Sequence, residues 1–279
     1  MIITGKTFGE ERALYAIDGA DIADCAFDGT EDGESALKES RNVTVRHCLF
    51  NLRYPLWHTE NAVVHDSEMT GNCRAAIWYG KNITLAGCAL RGIKALRECE
   101  DVTLTDCRAK SPEMLWKCRR VSVTDTDIVS EYPFFECSDV DARRLTLKGK
   151  YSFQYTENMR LTDCSLDTKD AFWHAKNVTV EDSVICGEYL GWYSENLRLV
   201  RCRIIGTQPL CYCRALVLED CVMESADLAF ERSEVTATVC GHIDSVKDPL
   251  RGTIRAESIG EIIMDHAIVD PADTEIYVK

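Results

Sequence analysis

The chain has 279 residues, 46% of them hydrophobic, and a formal net charge of −14 at pH 7. This acidic balance argues against nucleic acids and anionic membranes as partners. No apolar run approaches the ~20 residues of a transmembrane helix, and residues 1–6 lack the basic-then-apolar pattern of a secretion signal. We therefore expect a cytoplasmic protein.

A unit of about 19 residues repeats from residue 8 to about residue 245, and a period of this size is typical of solenoids. One position of the unit is most often asparagine, and we number it zero. Asparagine occupies position zero at Asn42, Asn61, Asn82, Asn158, Asn177 and Asn196. A polar insertion at residues 28–35 interrupts the second unit.

Each unit contains three short apolar segments separated by turn residues. Positions +1 and +3 are apolar in most units, as at Val43 and Val45, and this alternation is a strand pattern. Position +8 and position −5, five residues before the next position zero, are apolar as well. The pattern predicts an all-β parallel β-helix of about twelve rungs, in which neighbouring rungs pair edge to edge.

The repeat predicts a single domain covering residues 1–279. Residues 1–19 form a degenerate first rung and residues 20–247 form the regular rungs. The repeat register is lost after Asp248 and Pro249. Residues 252–264 and 275–278 still have strand patterns, and we expect 248–279 to cap the open end of the solenoid.

The fifteen cysteines follow the repeat, because most of them occupy positions +6 and −2, where serine, threonine and alanine also occur. Such positions require a small side chain facing inward, and free cysteine meets that requirement. Paired C-x-x-C spacings are absent, so the cysteines predict no metal site. Aspartates at position +5 could bind Ca²⁺, but the column is interrupted, and we predict solvated turns. No metal and no cofactor are expected.

All five tryptophans occupy position −4, and position −3 beside it carries aromatic or titratable residues. Position −4 also accepts Lys38, Arg97 and Gln154, whereas position −5 is never charged. Because lysine and arginine are rarely buried without a partner, we predict that position −5 points inward and position −4 outward, with position −3 at the bend. If the tryptophans were core residues, position −3 would form the exposed column instead.

An exposed aromatic face predicts a binding surface. The candidate binding residues are Trp57, His58, Trp78, Tyr79, Arg97, Trp116, Phe135, Trp173, His174, Trp192 and Tyr193. Aromatic rings at rung spacing suit an oligo- or polysaccharide, and we take saccharide or glycoconjugate binding as the function hypothesis. The alternative is a non-catalytic scaffold whose aromatic face contacts a partner or a second copy of the chain.

A second alternative is a carbohydrate-active enzyme, a hydrolase or a lyase. Glu98, Lys117 and Glu136 occupy position −3 of three consecutive units, which places the two carboxylates about 9–10 Å apart by rung spacing. This is near the upper end of the separation between the acid and the base of an inverting glycosidase. An exposed ladder of alternating charge would give the same pattern.

The unit K-N-[IV]-T-[LV]-x-x-[CS], as in residues 81–88, resembles the repeat of right-handed parallel β-helices of the pectin-lyase-like superfamily. The recurring [AP]-[LIF]-W-[HY] and the N-terminal G-E-E-R-A-L-Y are similar to an uncharacterised bacterial family within it. The resemblance spans essentially the whole chain. It implies a right-handed parallel β-helix. It also implies a function related to polysaccharides, because the superfamily contains polysaccharide lyases, hydrolases and esterases as well as non-catalytic members. The catalytic motifs of polygalacturonase-like enzymes are missing, so no catalytic residue is carried over.

Overall fold

The computed structural model describes residues 1–30 and 33–279, so two residues of the predicted insertion at 28–35 lie outside it. Within these ranges the protein is an all-β parallel solenoid, which confirms the predicted fold class, although it has about 14 turns and not about twelve. The helical segments of the described residues are two 3₁₀ turns, Gly71–Cys73 and Pro271–Asp273. None has the length and apolar character needed to cross a membrane. The chain divides into two compact units, Met1–Asp141 and Ala142–Lys279.

In the unit Met1–Asp141, each rung contributes a strand to two parallel sheets. The strands of the first sheet are Ile2–Thr4, Asp21–Ala23, Arg41–Arg46, Glu60–His65, Lys81–Ala86, Glu100–Thr105 and Arg119–Thr124. The strands of the second sheet are Thr7–Phe8, Ala26–Phe27, Leu49–Phe50, Glu68–Met69, Ala89–Leu90, Arg108–Lys110 and Asp127–Ser130. A third sheet has the short strands Leu56–Trp57, Ile77–Trp78 and Leu96–Arg97. Strand Ser138–Arg143 contains the boundary between the units.

The unit Ala142–Lys279 also contains two parallel sheets. The first contains Glu157–Thr162, Lys176–Glu181, Glu195–Val200, Leu216–Glu224, Glu234–Val239, Arg251–Ala256 and Thr274–Val278. The second contains Thr146–Lys150, Ser165–Lys169, Val184–Cys186 and Arg203–Ile205, which pairs with Leu216–Glu224. Strands His242–Lys247 and Ser258–Ile263 pair separately. The predicted cap is therefore β-structured, and it continues the parallel pairing although its sequence has left the repeat.

The third apolar segment predicted for each unit forms a turn, not a strand, in the rungs between residues 151 and 212. Its position −5 side chain still faces the core. The large apolar residues at position −5 are each at most 1% exposed: Leu56, Ile77, Leu96, Leu115 and Phe134 in the first unit, and Phe153, Phe172 and Leu210 in the second. Burial of such large apolar side chains supplies most of the free energy that holds a rung in place.

Left-handed backbone conformations form the corners of the rungs, at position zero, position +5 and position −3. Asparagine tolerates this conformation better than most residues, which explains its recurrence at position zero. The side chains also form ladders, since Asn61 Nδ2 donates to Asn42 Oδ1 at 2.9 Å and Asn82 Nδ2 donates to Asn61 Oδ1 at 2.9 Å.

All fifteen cysteines are free thiols, and all are buried except Cys186, which is half-buried, and Cys240, which is exposed. Their sulfur atoms lie against backbone carbonyls, as Cys88 Sγ does at 3.4 Å from the Val64 carbonyl oxygen. The predicted core role is confirmed for the thirteen buried cysteines, whereas it is wrong for Cys240, which occupies position +6 but is exposed.

Candidate ligand-binding site

The aromatic positions form a half-buried column and an exposed column. The tryptophans at position −4 are half-buried in both units. The residues at position −3 occupy left-handed corners, and their rings are more exposed: Tyr79 is 37% exposed and Tyr193 is 46% exposed. The prediction that position −5 points inward and position −3 lies at the bend is confirmed. Position −4 points outward only in part, because its side chains lie flat along the rungs.

In the first unit the position −4 side chains form one stack. Trp57 and Trp78 have ring centroids 5.7 Å apart, and the Arg97 guanidinium lies 5.3 Å from the Trp78 ring and 5.1 Å from the Trp116 ring. Trp116 in turn packs on Phe135 at 4.9 Å. Most faces of these rings are therefore covered by one another, so a saccharide would meet mainly their edges.

The predicted catalytic patch is a set of ion pairs in the first unit. Lys117 Nζ lies 3.2 Å from Glu136 Oε2, and Arg97 Nε lies 3.3 Å from Glu98 Oε1. Trp78 Nε1 also donates to Glu98 Oε1 at 3.4 Å. The side chains of Glu98 and Glu136 are 34% and 43% exposed, so neither carboxylate is buried.

Beside this patch, at position −3, His58 and Tyr79 stack with ring centroids 4.8 Å apart. This exposed pair is the first of two aromatic ladders.

In the second unit, four position −3 side chains form a longer ladder, which we call the tyrosine ladder; three of them are exposed and Tyr212 is half-buried. Tyr155, His174, Tyr193 and Tyr212 stack in sequence with centroid separations of 4.9, 5.0 and 4.9 Å. Behind it Trp173 and Trp192 stack at 5.5 Å, and each donates its indole N–H to a backbone carbonyl sixteen residues ahead, at 2.7 and 2.8 Å. These hydrogen bonds fix the tryptophans to the rungs and leave the tyrosine ladder as the accessible surface.

The C-terminal end of the ladder opens into a groove of about 830 Å³. His174, Tyr193 and Tyr212 form one wall, and Leu250 and the exposed Ile268 contribute apolar surface from the C-terminal segment. The remaining lining residues are Lys176, Ser194, Glu195, Cys213, Arg214, Ala215, Arg232, Glu234 and Arg251. The volume lies within the roughly 300–1,000 Å³ that ligand pockets usually have.

The groove is more cationic than the acidic protein around it. Lys176, Arg214, Arg232 and Arg251 give four positive charges against the two carboxylates Glu195 and Glu234, and Arg251 forms an ion pair with Glu234. Burial and the charge of Glu231 raise the pKa of the Tyr212 hydroxyl, which therefore stays protonated and able to donate a hydrogen bond.

The model of the family described as "Protein of unknown function (DUF3737)" matches residues 1–277. The chain belongs to this family. No curated protein matches the chain significantly.

The solved structures similar to this DUF3737 member are distant from it in sequence. PfbA, a surface adhesin of Streptococcus pneumoniae, has 11% identity and a TM-score of 0.42 over 81% of this chain and 73% of its own. The A-module of the Azotobacter vinelandii mannuronan C-5 epimerase AlgE4 has 8% identity and a TM-score of 0.36, covering 100% and 91%. HetL, a pentapeptide repeat protein from Nostoc sp. strain PCC 7120, has 11% identity and a TM-score of 0.31, covering 79% and 92%.

The structure separates the predicted binding residues into two groups. Of the candidates, only His174 and Tyr193 line the groove, whereas the tryptophans support the ladders from behind. The sequence prediction omitted Tyr212 and the cations of the groove. Tyr212 belongs to the same position −3 column as His174 and Tyr193, and Lys176 and Arg214 belong to position −1, so the repeat was the signal that could have identified these three residues. Arg251 lies beyond the repeat, where the repeat gives no signal.

Proposed function

We propose that the protein binds a saccharide or glycoconjugate in the groove of the second unit. The observation that carries this proposal is the end of the tyrosine ladder. Tyr212 is the last ring, because Arg232 occupies the corresponding corner of the next rung and carries no ring. No ring of a later rung packs on the face of Tyr212 opposite Tyr193, and this is the face on which the proposal stacks a sugar ring within the groove.

The polar lining suits a ligand rich in hydroxyl groups. Arginine presents several N–H donors in a fixed plane, and carboxylates such as Glu195 accept hydrogen bonds from hydroxyls. Leu250 and Ile268 add apolar surface for the C–H faces of a sugar. A few convergent polar groups beside apolar and aromatic surface are typical of small-molecule sites.

Binding is favoured over turnover. In the first unit, Glu98 and Glu136 are each paired with a cation and remain accessible to water. In the groove, Glu234 is paired with Arg251. These pairings support a role in recognition and charge balance, so the proposal assigns no reaction to the protein.

A glycan panel probed with the purified full-length chain tests the proposal. We expect at least one class of oligosaccharide to bind, and we expect Tyr212→Ala to weaken that binding by roughly tenfold or more, as loss of an aromatic anchor does. The matched control is Tyr79→Ala, which removes an exposed ladder ring outside the groove. Equal losses in both variants would contradict the assignment to the groove.

The alternative function, a scaffold whose aromatic face joins two copies of the chain, predicts a different result with the same purified protein. If the aromatic face joins two copies of the chain, light scattering should show a doubled mass that Tyr193→Ala reduces. A doubled mass together with no binding across the panel would overturn the saccharide proposal.

A further inference from the structure

A second cluster of polar side chains lies at the C-terminal ends of two paired strands in the second unit. Strands His242–Lys247 and Ser258–Ile263 are parallel, and Lys247 pairs with Ile263. The residues that follow each strand therefore lie side by side, and the Asp248 N–H donates to the Ile263 carbonyl at 2.9 Å. This pairing brings Asp248 to the turn that contains Asp265 and His266.

Asp248 is a buried carboxylate with an unsatisfied oxygen. The residue is 2% exposed, and its Oδ1 accepts a hydrogen bond from the His266 backbone N–H at 3.3 Å. Its Oδ2 is buried and has no hydrogen-bond partner among the described residues. The neighbouring Lys247 points to another carboxylate, with its Nζ 3.3 Å from Glu231 Oε1. A buried carboxylate oxygen without a partner destabilises the folded protein, and a bound cation would offset that loss.

The surrounding side chains supply the other ligands that such a cation needs. His266 Nδ1 lies 3.0 Å from Asp265 Oδ1, and one ligand atom from each of Asp248, Asp265 and His266 lies within 4.8 Å of the others. Asp265 and His266 are exposed, which leaves a path for the ion and positions for water ligands. One imidazole and two carboxylates suit divalent first-row transition metals.

We propose that Asp248, Asp265 and His266 bind a divalent first-row transition-metal ion such as Mn²⁺ or Zn²⁺. The ion would join the end of one strand to the turn that follows the next, and it would supply the missing partner of Asp248 Oδ2. It would also brace the groove, because Leu250 and Ile268 each lie two residues from a ligand. The site does not depend on saccharide binding.

The test is a titration of the chelator-treated full-length protein with Mn²⁺, followed by electron paramagnetic resonance of the free ion. Mn²⁺ is the probe because it prefers oxygen and imidazole ligands to the thiolates that fifteen cysteines offer. We expect one ion per chain and a higher thermal unfolding midpoint when the ion is present. His266→Ala and Asp265→Ala, both at exposed positions, should each weaken binding at least about tenfold.

The matched control is His242→Ala. His242 is also exposed and also lies beside an aspartate, with its Nε2 3.6 Å from Asp244 Oδ1, but it is outside the cluster. Asp248→Asn should abolish Mn²⁺ binding if this variant folds. If it does not fold, the Mn²⁺ affinities of His266→Ala and Asp265→Ala test the proposal. Absence of a bound ion at millimolar Mn²⁺, or equal affinity in wild type and His266→Ala, would overturn the proposal.

Discussion

Tyr212 stacks on Tyr193 with ring centroids 4.9 Å apart and planes inclined by 15°. The contact ends the tyrosine ladder of the second unit at the point where the groove begins. A ladder of stacked rings shows mainly ring edges along its length, and no ring of a later rung packs on Tyr212, whose outer face is the one proposed to meet a ligand. The proposed binding site therefore lies at the end of the ladder, and not along the whole aromatic face that the sequence suggested.

The charges of the groove predict a preference for acidic saccharides over neutral ones. Four cations face two carboxylates there, so uronate, sulfate or phosphate groups should gain charge-assisted hydrogen bonds. We expect Arg232→Ala to weaken binding of an acidic oligosaccharide by about tenfold, and we expect added salt to weaken the wild-type complex. Titration calorimetry at two ionic strengths measures both effects.

The control for this prediction is Arg198→Ala. Arg198 is an exposed cation of the same unit that pairs with Glu219 at 2.7 Å and does not line the groove. Its removal should leave the affinity unchanged. If neutral and acidic oligosaccharides bind equally well at low salt, the electrostatic part of the argument is wrong.

The hydrogen bonding of the indole N–H groups predicts that Trp→Phe lowers the free energy of unfolding by different amounts at two positions. Trp173 Nε1 donates to the Tyr189 carbonyl at 2.7 Å, whereas the buried Nε1 of Trp57 has no partner among the described residues. Trp173→Phe strands a carbonyl and should lower the free energy of unfolding by about 1 kcal/mol more than Trp57→Phe. Urea denaturation of the two variants gives the difference directly, and equal losses would show that the hydrogen bond contributes nothing.

The repeat was sufficient to predict the rungs, because each inward side chain recurs at a fixed position, as Phe134, Phe153 and Phe172 do at position −5. It could not predict how exposed position −4 is. That depends on whether the ring lies flat and finds a carbonyl sixteen residues ahead, as Trp192 does.

The groove was not predictable for a related reason. It requires the C-terminal segment with Leu250 and Ile268, whose sequence has left the repeat. The cluster at Asp248 likewise depends on strand pairing in that segment. Repeat positions predict side-chain placement only where the repeat continues. Both proposed sites use residues that follow the last regular unit.

Two substitutions of one residue in the asparagine ladder should separate the effect of backbone strain on stability from the effect of the side-chain hydrogen bonds. Asn177 has φ of +53°, donates to Asn158 Oδ1 at 3.1 Å and accepts from Asn196 Nδ2 at 2.9 Å. Asn177→Ala should destabilise the protein by about 1–2 kcal/mol, because it loses both hydrogen bonds and keeps the left-handed backbone. Asn177→Gly loses the same hydrogen bonds without the steric cost, so it should unfold at a higher urea concentration than Asn177→Ala. The reverse order would show that the left-handed corner imposes no strain.

The buried thiols predict that the protein loses stability in alkali. Burial raises the pKa of Cys73 and Cys211 to about 12, and that of Cys48 and Cys213 to about 11, from an ordinary value of 9.0. The folded state holds these protons more tightly than the unfolded state does. The resulting contribution is fully present below pH 9 and is lost as the pH rises from 9 through about 12.

Each buried thiol can lower the free energy of unfolding by up to about 1.4 kcal/mol per pH unit in this window. We expect urea denaturation to give a clearly lower free energy at about pH 10 than at about pH 8. Cys73→Ala removes one titrating group, so its stability should fall less steeply than that of the wild type over the same interval. Tyrosine and lysine also ionise at high pH, but they contribute equally in both proteins. A parallel decline in wild type and Cys73→Ala would therefore show that this thiol already reaches water in the folded state.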